Sequence, residues 1–279
     1  MERIKHAIEK VKNQNSGGAG RTQSRSSGQD NNSNPRPSKS HEELVDISYD
    51  YTRVVKLQKK HLEKNRIVAF DKNDPKSMAF DLLRTHVLQK MEENGWRTMA
   101  ITSATPEAGK TVVAINLAMS IAQQTNKTAM LVDFDLRRPK IGTYLGIHME
   151  KSLNDLLDGT AELPDVLVNP DIPRLVVLPT KSPVRNSSET LSSKKTAELI
   201  MDLRERYKSR IVIFDLPPVL VSDDAMALLP QIDCVLLVVA NGMSTQREIE
   251  DSLHLLPSEK LIGAILNKAD IEPTAYYYD

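Results

Sequence analysis

The run TMAITSATPEAGKTVVAINLAMSIAQQ, Thr98 to Gln124, decides how this chain folds. It opens as a short apolar, β-rich stretch, and from Lys110 onward its apolar residues recur at helical spacing. Between the two lies ATPEAGKT, Ala104 to Thr111. A strand that turns through Gly-Lys-Thr into a helix is the context of a phosphate-binding loop, here with Ala104 where the first glycine is usual. Backbone N–H groups around Glu107 to Lys110 can converge on an anion, and the helix that follows adds its positive end. Gly109 lets backbone approach a ligand without a Cβ. Lys110 is expected to reach the β- and γ-phosphates and Thr111 to ligate Mg²⁺. The expected cofactor contacts are therefore Thr105, Pro106, Glu107, Ala108, Gly109, Lys110, Thr111 and Val112. Pro106 lacks an N–H, and Glu107 suits a phosphate site only with its side chain turned away.

Outward from this motif, apolar β-rich runs recur at 97–103, 129–134, 174–178, 210–214, 234–239 and 261–266. Helical patterns separate them at 75–92, 110–124, 188–207 and 245–256. Strands alternating with helices imply a parallel sheet reached by right-handed crossovers. The strands are apolar throughout, as strands covered on both faces are. The expected fold is α/β: a P-loop domain with a mainly parallel sheet, helices on both faces and a disordered N-terminal extension.

Two further segments end strands in acid. LVDFDLRRP sets Asp133 and Asp135 at one tip and IVIFDLPP sets Asp215 at another. Ligands of open parallel sheets bind beyond the carboxyl ends of the strands, so all three carboxylates can meet the phosphate loop. Asp133 and Asp215 are expected with Thr111 at a Mg²⁺ ion. Lys110, Asp133, Asp135 and Asp215 are the candidate catalytic residues. Arg137 and Arg138 either pair phosphate oxygens or neutralise the acids.

The flanks differ. Residues 13–42 carry Ala19 as their one apolar side chain, too little to offset the entropy of ordering. Ile4, Ala7, Ile8 and Val11 lie at helical spacing, so 1–12 reads as a short amphipathic helix, either fraying or a docking peptide. RVVKLQKKHLEKNR, 53–66, is strongly basic: a solvated helix face, or a contact for an anionic membrane or an acidic partner. The expected division is helix 1–12, disordered and basic linker 13–65, P-loop domain 66–271 and tyrosine-containing tail 272–279.

Thirty-seven Lys and Arg balance 37 Asp and Glu, which argues against a whole-protein grip on nucleic acid. The lone Cys234 fits a reducing compartment and a buried strand. Histidines lie at no metal-ligand spacing, so no zinc site is expected, and Trp96 reads as packing. The longest apolar run, Cys234 to Ala240, is far short of a membrane span, and the charged N-terminus is no secretory signal. A cytoplasmic protein is expected.

Gly-Lys-Thr, apolar-Asp-x-Asp-x-Arg and apolar-Asp-x-Pro-Pro, in this order, resemble the bacterial tyrosine kinase family, P-loop proteins of polysaccharide export related to the partitioning ATPases. The resemblance covers about Met78 to Asp270, includes RRPKIGTYLGI at 137–147, and extends to Tyr276, Tyr277 and Tyr278. It implies that 104–111 is the Walker A motif, Asp133 and Asp135 the second motif, and Asp215 the Walker B aspartate. It implies ATP and Mg²⁺ as cofactors and autophosphorylation on the tyrosine cluster, in trans within an oligomer. A membrane-spanning chain-length adaptor would hold the protein at the inner face of the cell membrane.

Chemistry agrees with that expectation, because phosphoryl transfer asks mainly for positioning and charge neutralisation. A tyrosine hydroxyl also needs a base, for which Asp133 is the candidate. The tail either enters a neighbour's site or packs on the domain.

There are departures. Met78, Asp81 and Arg84 stand where ring-forming members carry E-x-x-R-x-x-R. Thr105 stands where partitioning ATPases have a second lysine, which disfavours their switch mechanism. Asn267-Lys268-Ala269-Asp270 spells the N-K-x-D of GTPases, yet Leu-Pro-Pro follows Asp215 where a GTPase has x-x-Gly. Asn267 is therefore expected at the edge of adenine. A nucleotide-driven switch, or a non-catalytic regulatory scaffold of polysaccharide export, is the alternative function.

Overall fold

The first predicted strand, β2 (Thr98–Ser103), is buried along its whole length near the middle of an eight-stranded sheet. In this computed structural model residues 52–124 and 126–269 are described. The amphipathic helix expected at 1–12, most of the linker, and the tail with Tyr276, Tyr277 and Tyr278 lie outside them.

The sheet runs β1-β4-β5-β3-β6-β2-β7-β8. β3 (Thr128–Asp133), β5 (Leu175–Leu178), β6 (Arg210–Asp215), β7 (Cys234–Ala240) and β8 (Leu261–Asn267) join β2 in one parallel set. Only β4 (Val168–Asn169) pairs antiparallel, with β5. The predicted strands thus hold to within a residue or two, and the sheet is mainly parallel as expected.

Pleating sorts the side chains. Met99 and Ile101 of β2, Ala129 and Leu131 of β3 and Ile211 and Ile213 of β6 pack into one core with α3 (Lys110–Gln124) and Val87 and Met91 of α2 (Ser77–Glu93). The alternate residues, Ala100, Met130, Val132, Val212 and Phe214, form a second core. It is covered by α8 (Lys194–Glu205), α9 (Asp224–Leu228) and α10 (Gln246–Leu255). There Phe134 and Phe214 stack, 5.3 Å between centroids and 10° from parallel.

Three sequence expectations need correction. The linker expected through 65 ends earlier, because 53–65 join the fold. β1 (Arg53–Val54) pairs with β4, and α1 (Lys59–Lys64) follows it. The basic character of this stretch masks its apolar anchors, Leu62, buried, and Val55 and Leu57, packed on the core. His61 Nε2 also lies 2.8 Å from the Thr143 carbonyl. The single helix expected at 188–207 is two, α7 (Ser187–Leu191) and α8. Ser193 breaks it, since its hydroxyl accepts from the Thr196 N–H at 3.2 Å and caps α8. Short helices α4 (Ile141–Leu145), α5 (Leu153–Asp158) and α6 (Leu163–Val166) lie between β3 and β4, where periodicity was too brief to read.

Candidate functional site

Register brings the acids together. Asp133 and Asp215 are Cα partners on neighbouring parallel strands, so both side chains leave the sheet on the same face, that of α3. β2, which delivers the phosphate loop to α3, lies on the other side of β6. The loop and both carboxylates thus share the carboxyl rim of the sheet.

The loop is shaped for an anion. Glu107 and Gly109 take left-handed backbone, φ +64° and +91°. Among the described residues, none accepts a hydrogen bond from the backbone N–H of Glu107, Ala108, Gly109, Lys110, Thr111 or Val112, and the ladder of α3 begins with Val113 N–H donating to the Gly109 carbonyl. The Glu107 side chain is exposed and Glu107 lines the cleft, while Ala104 is fully buried. Asn267, at the end of β8, donates its Nδ2 to the Ala108 carbonyl at 2.8 Å.

Lys110, 8% exposed, places Nζ 2.8 Å from Asp135 Oδ2 and 3.2 Å from Asp215 Oδ1. Burial alone would lower its pKa, but Asp215 and Asp135 outweigh that and raise it. Thr111 Oγ1 donates to Asp215 Oδ2 at 2.6 Å. Burial raises Asp215, against the pull of Lys110 and Thr111. Asp133 is more perturbed: burial first, then the Asp215 charge, hold its carboxyl well above the usual carboxylate range. Its Oδ2 accepts from the backbone N–H groups of Lys140 and Ile141, each at 3.0 Å. Its Oδ1 is buried and has no partner among the described residues, a place for a proton or a cation.

Lys110, Thr111 and Asp135 open onto a cleft of about 1110 Å³, with Asp133 and Asp215 buried behind them. Gly109, Lys110, Thr111 and Asp135 line its floor, and Lys64, Arg66, Arg138, Lys140 and Lys181 supply positive charge around it. The structure therefore brings together Thr105 to Val112, Asp133, Asp135 and Asp215.

Both arginines line the cleft. Arg137 also grips Asp224, Nε to Oδ2 at 3.0 Å and a terminal nitrogen to Oδ1 at 3.1 Å, while Ser188 Oγ donates to the same Oδ1 at 2.6 Å. Sequence reading passed over Asp224, the amides of Lys140 and Ile141, and Thr180, whose hydroxyl donates to the Asp133 carbonyl at 2.6 Å. The one available signal was Pro139 ahead of the helical IGTYL, which marks a helix start just beyond Asp133.

A family model described as an AAA domain matches residues 96–258. The tyrosine-protein kinase YwqD of Bacillus subtilis is 31% identical over 227 residues, 77% of this chain and 94% of that one. EpsB of Ralstonia nicotianae is 31% identical over 208 residues, and there the match spans 74% of this chain but only 27% of the relative. Among solved structures, the kinase domain of the Escherichia coli tyrosine kinase ETK superposes with a TM-score of 0.68 at 28% identity, over 82% of this chain and 94% of that domain.

Proposed function

The chain belongs to the bacterial tyrosine-protein kinases built on this AAA-type domain, and on that premise we propose that it binds ATP with Mg²⁺ and transfers the γ-phosphoryl group to tyrosine. The acceptors we propose are Tyr276, Tyr277 and Tyr278, within a self-associating protein that serves polysaccharide synthesis or export. A membrane-spanning partner would hold it at the inner face of the cell membrane; no helix among the described residues is long and apolar enough to cross a membrane.

One observation carries the proposal: the N–H groups from Glu107 to Val112 have no acceptor among the described residues, in the same loop that carries the buried ammonium of Lys110. Such an array is complementary to a polyphosphate. The donor set also fits Mg²⁺, with the Thr111 hydroxyl, the unpartnered Asp133 Oδ1 and Asp215 as hard oxygen ligands. Bound there, Mg²⁺ would neutralise charge on the phosphate oxygens. Among the described residues no three His, Cys, Asp or Glu side chains form a metal cage, so the ion would be shared with the nucleotide.

In this reading Lys110 turns from Asp135 and Asp215 to the β- and γ-phosphates as they enter. The loop amides hold the polyphosphate, and the cationic wall draws it in. Asp133, kept basic by burial, takes the proton of the attacking tyrosine hydroxyl as oxygen bonds to phosphorus and ADP departs.

Incubating the full chain with γ-labelled ATP tests this. Label on the protein, lost in Lys110→Ala and in the triple variant Tyr276→Phe, Tyr277→Phe, Tyr278→Phe, is the expected result. Label that survives the triple change points to other acceptors. Hydrolysis without protein label favours a nucleotide-driven switch, and no uptake of ATP overturns the reading.

A further inference from the structure

Asn267 ends β8 and is held from both sides. Its Cα pairs with Ala240 of β7, and its carbonyl accepts from the Asn241 N–H at 2.8 Å. Its side chain leaves the strand toward the phosphate loop and donates to the Ala108 carbonyl at 2.8 Å. The contact is close: a Cβ on Gly109 would overlap Asn267 Nδ2. The side chain therefore fills the space that glycine leaves.

A trans peptide points its C=O and N–H in opposite directions, and the described chain has no cis peptide bond. Ala108 C=O and Gly109 N–H belong to one such plane. Anchoring that oxygen on Asn267 turns the Gly109 N–H away from β8. The Gly109 N–H so turned meets no acceptor among the described residues, and Gly109 itself lines the cleft. Gly109 is also, with Glu107, one of the two left-handed residues of the loop, φ +91°, and as glycine the one where a freely rotating peptide would have most latitude.

We infer that Asn267 is a positioning residue for the phosphate loop: its amide sets the Ala108–Gly109 peptide so that the Gly109 N–H donates to bound phosphate, and it serves polyphosphate affinity rather than recognition of the base. The inference rests on the nucleotide-binding reading above. It assigns to a residue of β8 a task performed across the sheet rim, through a carbonyl that never touches the ligand.

Titration calorimetry with Mg²⁺ on the full chain, wild type and Asn267→Ala, using ATP and inorganic tripolyphosphate, tests it. The expected result is a weakening of roughly ten-fold, and by the same factor for both ligands, because tripolyphosphate has no base. A second readout separates positioning from general damage. Labelling alanine carbonyls with ¹³C and glycine nitrogens with ¹⁵N isolates the two Ala-Gly pairs of the chain, Ala19-Gly20 and Ala108-Gly109. In the wild type the Gly109 amide proton should move downfield on adding tripolyphosphate. In Asn267→Ala that movement should shrink while the thermal midpoint stays near the wild-type value. Loss confined to ATP would make Asn267 a base contact and overturn the inference, as would unchanged affinity for both ligands. If wild-type protein takes up neither ligand, the nucleotide reading itself falls and takes this inference with it.

Discussion

Asp133 and Asp215 are register partners on adjacent parallel strands, both fully buried and both directed to the face that carries the phosphate loop. Two carboxylates so placed repel each other and lack water. Among the described residues one ammonium, that of Lys110, lies in their midst, and it is shared with Asp135.

The pair predicts how stability responds to pH. Asp133 titrates well above its ordinary value of 3.8 in the folded chain, so between that value and the raised one the native state binds the extra proton. Stability contributed there is present in acid and falls as pH rises through the window. Asp133→Asn removes this slope. Urea unfolding of both proteins from pH 5 to pH 8 should show a steeper decline for the wild type, and parallel curves would contradict the assignment.

Lys110→Met should lose more than ligand binding. It strips the cation from the 2.8 Å contact with Asp135 and the 3.2 Å contact with Asp215, leaving buried carboxylates uncompensated. Breaking a buried pair in this way costs about 3–5 kcal/mol. The double change with Asp215→Asn should recover part of it. Equilibrium denaturation of the two variants at pH 7.5 measures both quantities.

Asn116 ties the segment before α2 to the helix of the phosphate loop. Its side chain is fully buried; Oδ1 accepts from Val68 N–H at 2.8 Å and Ala69 N–H at 2.9 Å, while Nδ2 donates to the carbonyls of Arg66 and Val112 at 3.1 and 2.8 Å. Asn116→Ala deprives Val68 N–H, Ala69 N–H and the Arg66 carbonyl of this partner, while the Val112 carbonyl keeps its helical bond, and should cost about 2–4 kcal/mol. Hydrogen exchange should rise at Val68 and Ala69 before it rises in the sheet.

Arg137→Ala leaves the buried Asp224 with Ser188 as its chief donor. Burial would raise the Asp224 pKa, but the hydrogen bonds from Arg137 and Ser188 hold it below its ordinary value. The stability it contributes is present above the unfolded pKa and lost as pH falls through the depressed one. The variant should therefore be weaker than the wild type by about 1–3 kcal/mol at pH 7, and by less near pH 3. Thermal or chemical unfolding at those two pH values measures the difference.

The fold was legible because its six parallel strands are continuous apolar runs and each turns into a clear helical pattern or a Gly, Pro or Asp stop. The phosphate loop was legible because Gly109-Lys110-Thr111 sits where strand meets helix. What escaped reading lacked a local signature. β1 and β4 have two residues each, too short for any period to register. Leu62 lies within a basic run, and its burial depends on elements far along the chain. Asp224 and Arg137 are 87 residues apart and meet because β3 and β6, which they follow, pair side by side. Asn267 stands out in sequence for its motif, but which atom it touches follows from the register of β7 and β8, which sequence does not display.

Behind the acid pair lies the Phe134–Phe214 stack, one residue after Asp133 and one before Asp215, on the opposite face of the sheet. Rings packed flat in a core without slack act as a stiff backing plate. The neighbouring carboxylates cannot ease their repulsion by drifting apart, so a change of charge, through an arriving proton or cation, is the relief left to them. Mechanical rigidity on one side of the sheet thus becomes chemical appetite on the other.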